Sequence, residues 1–368
     1  MYVTRPLFPT LTAYTAALEK IWQSRWLTNK GPAHDALERA LCDRLRVSHL
    51  SLVSNGTAAL MLACRALELS GEVVTTPFTS PATVNALVWS GLTPIFADID
   101  PTTMTIAPGA VERAMTAGTV AIVGVHIYGI PCDVYRLQAI ADRHRAGLLY
   151  DCAHAFGTEI DGETVLKFGD ATILSFHATK LFNTAEGGAV VASDLACKQQ
   201  VDLWRNLGIS DELTVLVPGI NARMNELEAA LGLENLKILD EEYRRREEIA
   251  AIYLSRLKEL EGLSCLQPPA NVRNSRQYFP IRVDSEVARV SRDSLYERLK
   301  SFNVFARRYF YPLCSEFPFY RDLPSSDPRN LTVAHRVSRE ILCLPYYGEL
   351  GPAGAHRICD MISYIIAN

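Results

Sequence analysis

Several features that mark specialised proteins are scarce in this chain of 368 residues. Its nine cysteines are scattered and form no Cys-x-x-Cys pair, which argues against a disulfide framework or a zinc site. No apolar run reaches the roughly 18 residues of a membrane span, and the N-terminus lacks the basic-then-apolar pattern of a signal peptide. The net charge of −4 gives no electrostatic reason to expect nucleic acid as a partner. We therefore expect a cytoplasmic protein with reduced thiols, no metal site, no membrane partner and no nucleic-acid partner.

The composition and the order of apolar runs indicate a globular α/β chain. Hydrophobic residues make up 48% and charged residues 21%, which is typical of a folded protein. In the first two-thirds of the chain, short β-rich runs alternate with helical stretches, and this alternation predicts a largely parallel sheet. The predicted strands lie in HLSLVS, EVVTTP, TPIFADID, AIVGVHIYG, GLLYDCAHAF, ATILSFHA and GGAVVAS. Ligands of such sheets bind beyond the carboxyl ends of the strands.

The remaining third of the chain has a different pattern. The run NARMNELEAALGLENLKILDEEYRRREEIAAIYLSRLKEL has apolar residues at helical spacing and predicts one or two long helices leading out of the first domain. Shorter strands and helices follow, which predicts a smaller α+β domain. We place the large domain at residues 1–245 and the small domain at 246–368, with the boundary somewhere in 230–265.

Two turns after predicted strands carry residues that suit a charged ligand. In SNGTAAL, a helix begins at Asn55-Gly56-Thr57, where free N–H groups and a glycine would suit an anion, although Asn and Thr are also ordinary helix caps. In YDCAHAFG, Asp151 ends an apolar strand, so it is either a turn aspartate or a carboxylate facing a cationic ring nitrogen. His154 would lie beside the same ring, or would be a buried core histidine.

Two further turns add a nucleophile and a helix start. In SFHATKLFNTAEGG, Ser175 ends a strand and Lys180 follows five residues later. A lysine in a water-poor site has a lowered amine pKa and attacks aldehydes, whereas an isolated lysine is more often a surface residue. In GINARMNELEAALG, Asn221 and Arg223 precede a strong helix, where they would bind a ligand or only cap the helix.

The conjunction of these turns points to one cofactor, pyridoxal 5′-phosphate. Its phosphate suits Gly56, Thr57 and Ser175, its pyridine nitrogen suits Asp151, and its aldehyde suits Lys180. The cofactor would supply an electron sink, and the protein would supply orientation and the lysine.

The same stretches resemble the DegT/DnrJ/EryC1/StrS family of sugar aminotransferases nearly from end to end. RWLTNKGPAHDALERAL, SNGTAAL, DCAHAFG, SFHATK with EGG behind it, and NARMNELEAALG are similar to five motifs of the family, in the same order. The resemblance implies a fold-type I, aspartate-aminotransferase-like enzyme. Such an enzyme has a three-layer large domain on a mostly parallel seven-stranded sheet and a smaller α+β C-terminal domain.

The resemblance also implies residue roles. Lys180 would bind the cofactor's aldehyde and then move the proton between the substrate carbon and C4′, so that pyridoxamine 5′-phosphate arises during turnover. Asp151 would pair with the pyridine nitrogen, and Asn221 would reach the phosphate of a neighbouring subunit in a homodimer with shared sites. His154 stands near the position of the cofactor's 3-hydroxyl. The implied cofactor-binding residues are Gly56, Thr57, Phe78, Asp151, His154, Ser175, Lys180 and Asn221.

The chain departs from the family where an aromatic residue normally stacks on the pyridine ring. The family usually shows T-F-V-A-T, whereas this sequence has PFTSPAT, with Ser80 and Pro81 at the F-V positions. Either Phe78 is displaced into the stacking role, or His154 contributes to it.

Within the family, the chain is most similar to enzymes that form dTDP-4-amino-4,6-dideoxyglucose, and the stretches that carry this resemblance are KIWQSRWLTNKGP, HIYGIPCDV, SFHATKLFNTAEGG and FARRYFYPL. The resemblance thus implies transfer of an amino group from L-glutamate to C4 of dTDP-4-keto-6-deoxy-D-glucose. Candidate substrate contacts are Thr28, His177, Arg308 and Tyr309. The aromatic residues of FARRYFYPL could instead form the core of the small domain, and the sequence leaves open whether His177 packs, titrates or contacts substrate.

Three alternatives remain at this point. The chain could aminate another nucleotide-linked keto sugar, at C3 or on a UDP carrier, or an aminoshikimate-type substrate. The sugar 3-dehydratases of the family carry a histidine in place of the lysine, so the presence of Lys180 argues against that reaction. A non-catalytic regulatory homologue would not need the intact set of Lys180, Asp151 and Ser175.

Overall fold

A computed structural model describes all 368 residues. The twelve α-helices are α1 (Leu11–Ser24), α2 (Pro32–Leu45), α3 (Gly56–Ala66), α4 (Pro81–Trp89), α5 (Pro108–Ala114), α6 (Val134–His144), α7 (Leu195–Trp204), α8 (Glu226–Leu257), α9 (Ser285–Ala288), α10 (Arg292–Ser301), α11 (Thr332–Glu340) and α12 (Gly351–Ala367). The fifteen strands are β1 (Leu50–Val53), β2 (Glu72–Thr75), β3 (Thr93–Phe96), β4 (Thr119–Val125), β5 (Gly147–Asp151), β6 (Glu159–Ile160), β7 (Glu163–Thr164), β8 (Ala171–Ser175), β9 (Gly188–Ala192), β10 (Ile209–Asp211), β11 (Thr214–Val215), β12 (Leu263–Cys265), β13 (Val272–Arg273), β14 (Phe279–Val283) and β15 (Ile341–Leu344). None of the helices is both long enough and apolar enough to cross a membrane.

The largest sheet has seven strands in the order β1-β9-β8-β5-β4-β2-β3. Only β9 runs antiparallel to its neighbours β1 and β8, so the predicted mostly parallel seven-stranded sheet is confirmed. All seven predicted strands are present and are shorter than the apolar runs that marked them. The register places Val125 beside Asp151, and Ser175 beside Gly188, at one edge of the sheet.

Both faces of this sheet are covered by helices. Side chains of a strand alternate between the two faces. Accordingly, Val74, Ile122 and Leu148 lie in one apolar core, whereas their sequence neighbours Val73 and Leu149 lie in another on the opposite face. Burial on both faces explains why the central strands read as continuous apolar runs.

Helix α8 is a single helix of 32 residues, where the sequence predicted one or two. It begins with a capping box in which the Asn225 side chain accepts from the backbone N–H of Glu228, whose carboxylate accepts from Asn225 N–H. Leu239 packs in a core of the large sheet, whereas Ile249 and later residues pack against the C-terminal part. The change of packing partner occurs inside one continuous helix, near the predicted boundary at residue 245.

The C-terminal part contains an antiparallel sheet, β12-β14-β15, packed against α8, α10 and α11, and α12 packs against α8 and α10. The first residues of the chain join this part, because the carbonyl oxygens of Met1 and Val3 accept hydrogen bonds from Phe305 N (2.8 Å) and Tyr346 N (2.9 Å). Assigning all of residues 1–245 to the large domain therefore misses this contact. Backbone pairing with residues more than 300 positions away leaves no local pattern in the sequence.

Candidate active site

A cavity of about 310 Å³ opens at the carboxyl ends of strands β4, β5 and β8. Eight of the predicted site residues line it: Gly56, Thr57, Asp151, His154, Ser175, His177, Lys180 and Tyr309. The parallel strands end at the same edge of the sheet, so residues that are far apart in sequence meet there.

One end of the cavity is built to hold an anion. The Asn55 side chain caps α3 by accepting from Ala58 N at 2.8 Å, and the first N–H groups of a helix have no partner within it. A Cβ atom at Gly56 would lie only 2.8 Å from Cβ of Ser175, so the helix reaches β8 this closely only because residue 56 is glycine. The hydroxyls of Thr57 and Ser175 stand beside this helix end. These groups fit a phosphate.

Asp151 supplies a buried negative charge on the cavity wall. Its Oδ2 accepts from Thr83 Oγ1 at 2.7 Å and its Oδ1 from Ala153 N at 2.9 Å, yet it forms no ion pair with a protein cation. Only 7% of the residue is exposed. A buried carboxylate is normally paired, so a cationic ring nitrogen of a ligand fits this position.

Lys180 is half-buried at the same cavity, and its Nζ donates no hydrogen bond to another protein group. Burial lowers its pKa to about 8, although the carboxylate of Asp151 acts in the opposite direction. The Nζ atom lies 5.9 Å from the centre of the Tyr278 ring. A lysine amine with a lowered pKa is more often in its neutral, nucleophilic form near physiological pH.

The ring of His154 forms a neutral wall of the cavity. Burial and the charge of Lys180 lower its pKa well below the usual value. Its Nδ1 is 3.3 Å from Tyr128 N and accepts that N–H, which places the ring proton on Nε2. The ring lies parallel to Phe310 at 5.9 Å and edge-on to Tyr278 at 4.8 Å. A flat, neutral ring of this kind suits contact with an aromatic ligand.

Four predicted residues do not line the cavity. The ring of Phe78 is fully buried beside Tyr128 and Phe310, both edge-on, so it belongs to the packing behind the wall. Arg308 donates to Asp293 at 2.8 Å, because the ion pair draws its guanidinium to α10. These two positions correct the expectations that Phe78 binds the cofactor and that Arg308 contacts the substrate.

Thr28 and Asn221, the other two, are exposed outside the cavity of their own chain. The carbonyl of Thr28 accepts from the indole N–H of Trp26, and Oδ1 of Asn221 accepts from Arg223 Nε at 3.1 Å. A position outside its own cavity is what a contact with a neighbouring subunit would require of Asn221.

The structure also supplies wall residues that sequence reasoning did not single out. Thr83 holds Asp151, and it lies in the PFTSPAT run that departs from the family pattern. In that run Ser80 caps α4 by accepting from Ala82 N, and Pro81 occupies the first helical turn. Tyr278 and Phe310 reach the cavity from the C-terminal part. Phe310 belongs to the FARRYFYPL run, whose aromatic residues were expected either at the substrate pocket or in the core of the small domain, whereas no sequence pattern marked Tyr278 as a site residue.

His177 lies at the exposed rim of the cavity. Its Nδ1 is 2.8 Å from Thr179 Oγ1, and its Nε2 is 3.6 Å from Oε1 of Glu186. The imidazole of His177 therefore does not pack in the core, although the His177 carbonyl oxygen accepts from Lys180 N at 2.8 Å.

The chain is similar to several known proteins over its whole length. Residues 12–363 match the DegT/DnrJ/EryC1/StrS aminotransferase family. The chain is 42% identical over 361 residues to a dTDP-4-amino-4,6-dideoxy-D-glucose transaminase of Escherichia coli, a match that covers 98% of this chain and 97% of that protein. It is also 42% identical over 368 residues to the Shigella dysenteriae protein of the same name, with 100% and 97% covered. Among solved structures, that of DesI in the presence of its TDP-sugar product has a TM-score of 0.95 and 35% identity, covering 100% of this chain and 93% of that one.

Proposed function

The chain belongs to the DegT/DnrJ/EryC1/StrS aminotransferase family, and on that premise we propose that it transfers an amino group from L-glutamate to a nucleotide-linked keto sugar. The proposed acceptor is C4 of dTDP-4-keto-6-deoxy-D-glucose, which gives dTDP-4-amino-4,6-dideoxyglucose. The observation that carries this choice is the 42% full-length identity to two transaminases named for that product.

The cavity fits pyridoxal 5′-phosphate as the cofactor. The start of α3 with Thr57 and Ser175 would hold the phosphate, Asp151 the pyridine nitrogen, and Lys180 the aldehyde. When bound, the cofactor supplies an electron sink for negative charge at the reacting carbon. Asp151, buried and without a protein cation, would keep the ring nitrogen protonated.

Lys180 would be the residue that moves the proton. Its Nζ would take the proton from the α-carbon of glutamate and, in the second half of the reaction, would deliver one to C4 of the sugar. A pKa of about 8 suits both directions, because the amine can gain and lose a proton near neutral pH. One lysine serving both halves implies ping-pong kinetics.

The Lys180→Ala variant tests this assignment. It should lose both the borohydride-sensitive absorbance of bound cofactor and all amino transfer, whereas Lys167→Ala, at an exposed lysine paired with Glu163, should keep both. Amino transfer retained by Lys180→Ala would refute the role of this lysine. Incubation with glutamate and a panel of dTDP- and UDP-linked keto sugars, with products identified by mass and NMR, tests the acceptor. If the protein aminates a different sugar, the proposed amino transfer stands and the proposed acceptor is wrong.

We further propose a homodimer with shared sites, in the cytoplasm. A set of large apolar side chains is exposed on the β10-β11 hairpin and near the N-terminus: Trp22, Trp26, Leu27, Leu213 and Val215. Arg223 donates to Oδ1 of Asn206 at 3.0 Å and to Asn29, which ties the two regions together beside Asn221. An exposed apolar surface of this kind supports contact with a second copy. The nine free thiols support a reducing compartment.

Complementation between two inactive variants would test the shared site. Lys180→Ala and Asn221→Asp, the latter placing a negative charge near the partner's phosphate, should each lose activity alone. Their hybrid dimer would contain one site with both native residues and should regain part of the activity. A fully active Asn221→Asp protein, or a hybrid without any activity, would contradict the shared site.

A further inference from the structure

The segment of residues 274–278, between β13 and β14, adjoins the cavity, which its last residue Tyr278 lines, and is hydrogen-bonded to the turns that form the cavity walls. Asn274 Nδ2 donates to the carbonyl of Tyr128 at 3.1 Å, and Ser275 Oγ donates to the carbonyl of His154 at 2.5 Å. These bonds join the C-terminal part of the chain to turns of the large sheet. The segment therefore supports the backbone of the cavity at several points.

Gln277 makes the two bonds of this segment that lie nearest to the reactive lysine. Its Nε2 donates to the carbonyl of Thr179 at 3.0 Å, and its Oε1 accepts from Leu181 N at 2.6 Å. Thr179 and Leu181 directly precede and follow Lys180. Only 2% of Gln277 is exposed. We propose that Gln277 is a positioning residue that fixes the backbone on both sides of Lys180 and thereby aims its amine at the cofactor's aldehyde.

The Gln277 backbone is itself fixed from helix α8. Arg246 Nη1 donates to the carbonyls of Arg276 at 3.1 Å and Gln277 at 3.4 Å. Arg246 is 1% exposed, and its Nε pairs with Oε1 of Glu242 at 2.6 Å. A buried side chain held at its backbone and at both ends of its amide has little freedom. Such support is what keeps a reacting group within a fraction of an ångström of its working geometry.

A purely structural role for Gln277 would predict a different result from a positioning role. Buried amides need hydrogen-bond partners wherever they lie, so losing one lowers stability whether or not it affects Lys180. A positioning role also changes the reactivity of one particular amine. Measuring the reactivity of the Lys180 amine in the absence of turnover therefore separates the two roles.

The test uses the full-length, cofactor-free protein and the Gln277→Met substitution, which keeps the length of the side chain and removes the amide. Pyridoxal 5′-phosphate is added, the covalent bond to Lys180 is trapped with borohydride at timed intervals, and the labelled peptide is quantified by mass spectrometry. We expect capture to slow about ten- to a hundredfold, because a small misplacement of a reacting group has effects of this size.

A second readout is the pH dependence of Lys180 labelling by acetic anhydride in the same protein. The groups that face this amine are the carboxylate of Asp151, the imidazole of His154 and the ring of Tyr278. An amine freed to reach water escapes part of its desolvation, so the labelling midpoint should move above its wild-type value. A change of stability alone would leave this midpoint where it was.

Gln267→Met is the matched control, since Gln267 is an exposed glutamine just upstream of the segment, and it should capture cofactor at the wild-type rate. Gln277→Glu keeps the acceptor for Leu181 N–H and loses the donor to Thr179, so we expect it to capture cofactor at a rate between those of the wild-type protein and Gln277→Met. Gln277→Glu also replaces Gln277→Met in this test if Gln277→Met folds poorly. Wild-type capture by the Gln277 variants would overturn the inference. The inference rests on the proposed role of Lys180, and failure of the wild-type protein to capture cofactor would instead count against that role.

Discussion

Gly56 packs so tightly against Ser175 that an alanine at this position should weaken cofactor binding. The added Cβ would lie 2.8 Å from Cβ of Ser175 and 3.3 Å from its Cα. Carbon atoms in contact normally stay about 3.5–4.0 Å apart, so the start of α3 or the end of β8 must shift by about 0.7 Å. Overpacking of this kind costs about 1–3 kcal/mol, and the loss of glycine flexibility in the unfolded chain offsets only about 0.4–1 kcal/mol.

The same shift separates the two groups that would hold the phosphate, namely the helix end and the Ser175 hydroxyl. We expect the dissociation constant for pyridoxal 5′-phosphate to rise about tenfold or more, equivalent to about 1.4 kcal/mol. Equilibrium dialysis measures this constant, and thermal unfolding measures stability in parallel.

Gly109→Ala is the matched control for this experiment. Gly109 also lies in the first turn of a helix, but its added Cβ would meet nothing closer than Arg113 Nη1 at 3.7 Å. This variant should bind cofactor normally and be as stable as the wild-type protein or more so. The reasoning is refuted if Gly56→Ala binds cofactor as tightly as wild type, or if both alanine variants lose affinity equally.

Three further predictions concern the carboxylate, the lysine and the buried ion pair. Thr83→Val removes the hydroxyl that donates to Asp151. Because a hydrogen bond to a charged group contributes about 1.5–3 kcal/mol, kcat/KM should fall about ten- to a hundredfold. Thr83→Ser should restore most of the activity, and an unchanged kcat/KM in Thr83→Val would contradict a role of Thr83 in holding Asp151. Burial lowers the Lys180 pKa to about 8, so the neutral amine becomes available as the pH rises toward that value. The rate of cofactor capture, followed by absorbance, should rise about tenfold per pH unit below this pKa and level off above it. A flat pH profile would be inconsistent with this pKa. Arg246→Met leaves Glu242 buried without its partner and should lower the free energy of unfolding in urea by about 3–5 kcal/mol. Adding Glu242→Gln should recover part of that free energy. If the double variant is no more stable than Arg246→Met, the lost charge pairing is not the cause.

The local part of the site was predictable from the sequence because each residue sits at a strand end. Asp151 and Ser175 end apolar strands, Gly56 starts a helix after another strand, and Lys180 follows in the next turn. Parallel strands place these ends at one edge of a sheet, so local signals were sufficient to bring the four residues together. The family resemblance, the fold class and the enzyme class are confirmed.

Arg308 shows why not every candidate substrate contact could be predicted in the same way, although His177 and Tyr309 do line the cavity. Its motif put it near the cavity, but a carboxylate on α10 pairs with its guanidinium and holds it outside. The position of a long charged side chain depends on which partner the fold brings within reach, and sequence spacing does not encode that partner.

By itself the sequence determined the order of strands and helices, the anion-binding helix start, the strand-end aspartate and the lysine. These depend on hydrophobic periodicity and turn chemistry, which act over a few residues. Only the tertiary structure decided that Tyr278 and Phe310 wall the cavity and that Gln277 brackets Lys180. Those contacts span about a hundred residues and exist because α8 carries the chain out of the large sheet and the segment after β13 returns it to the carboxyl edge.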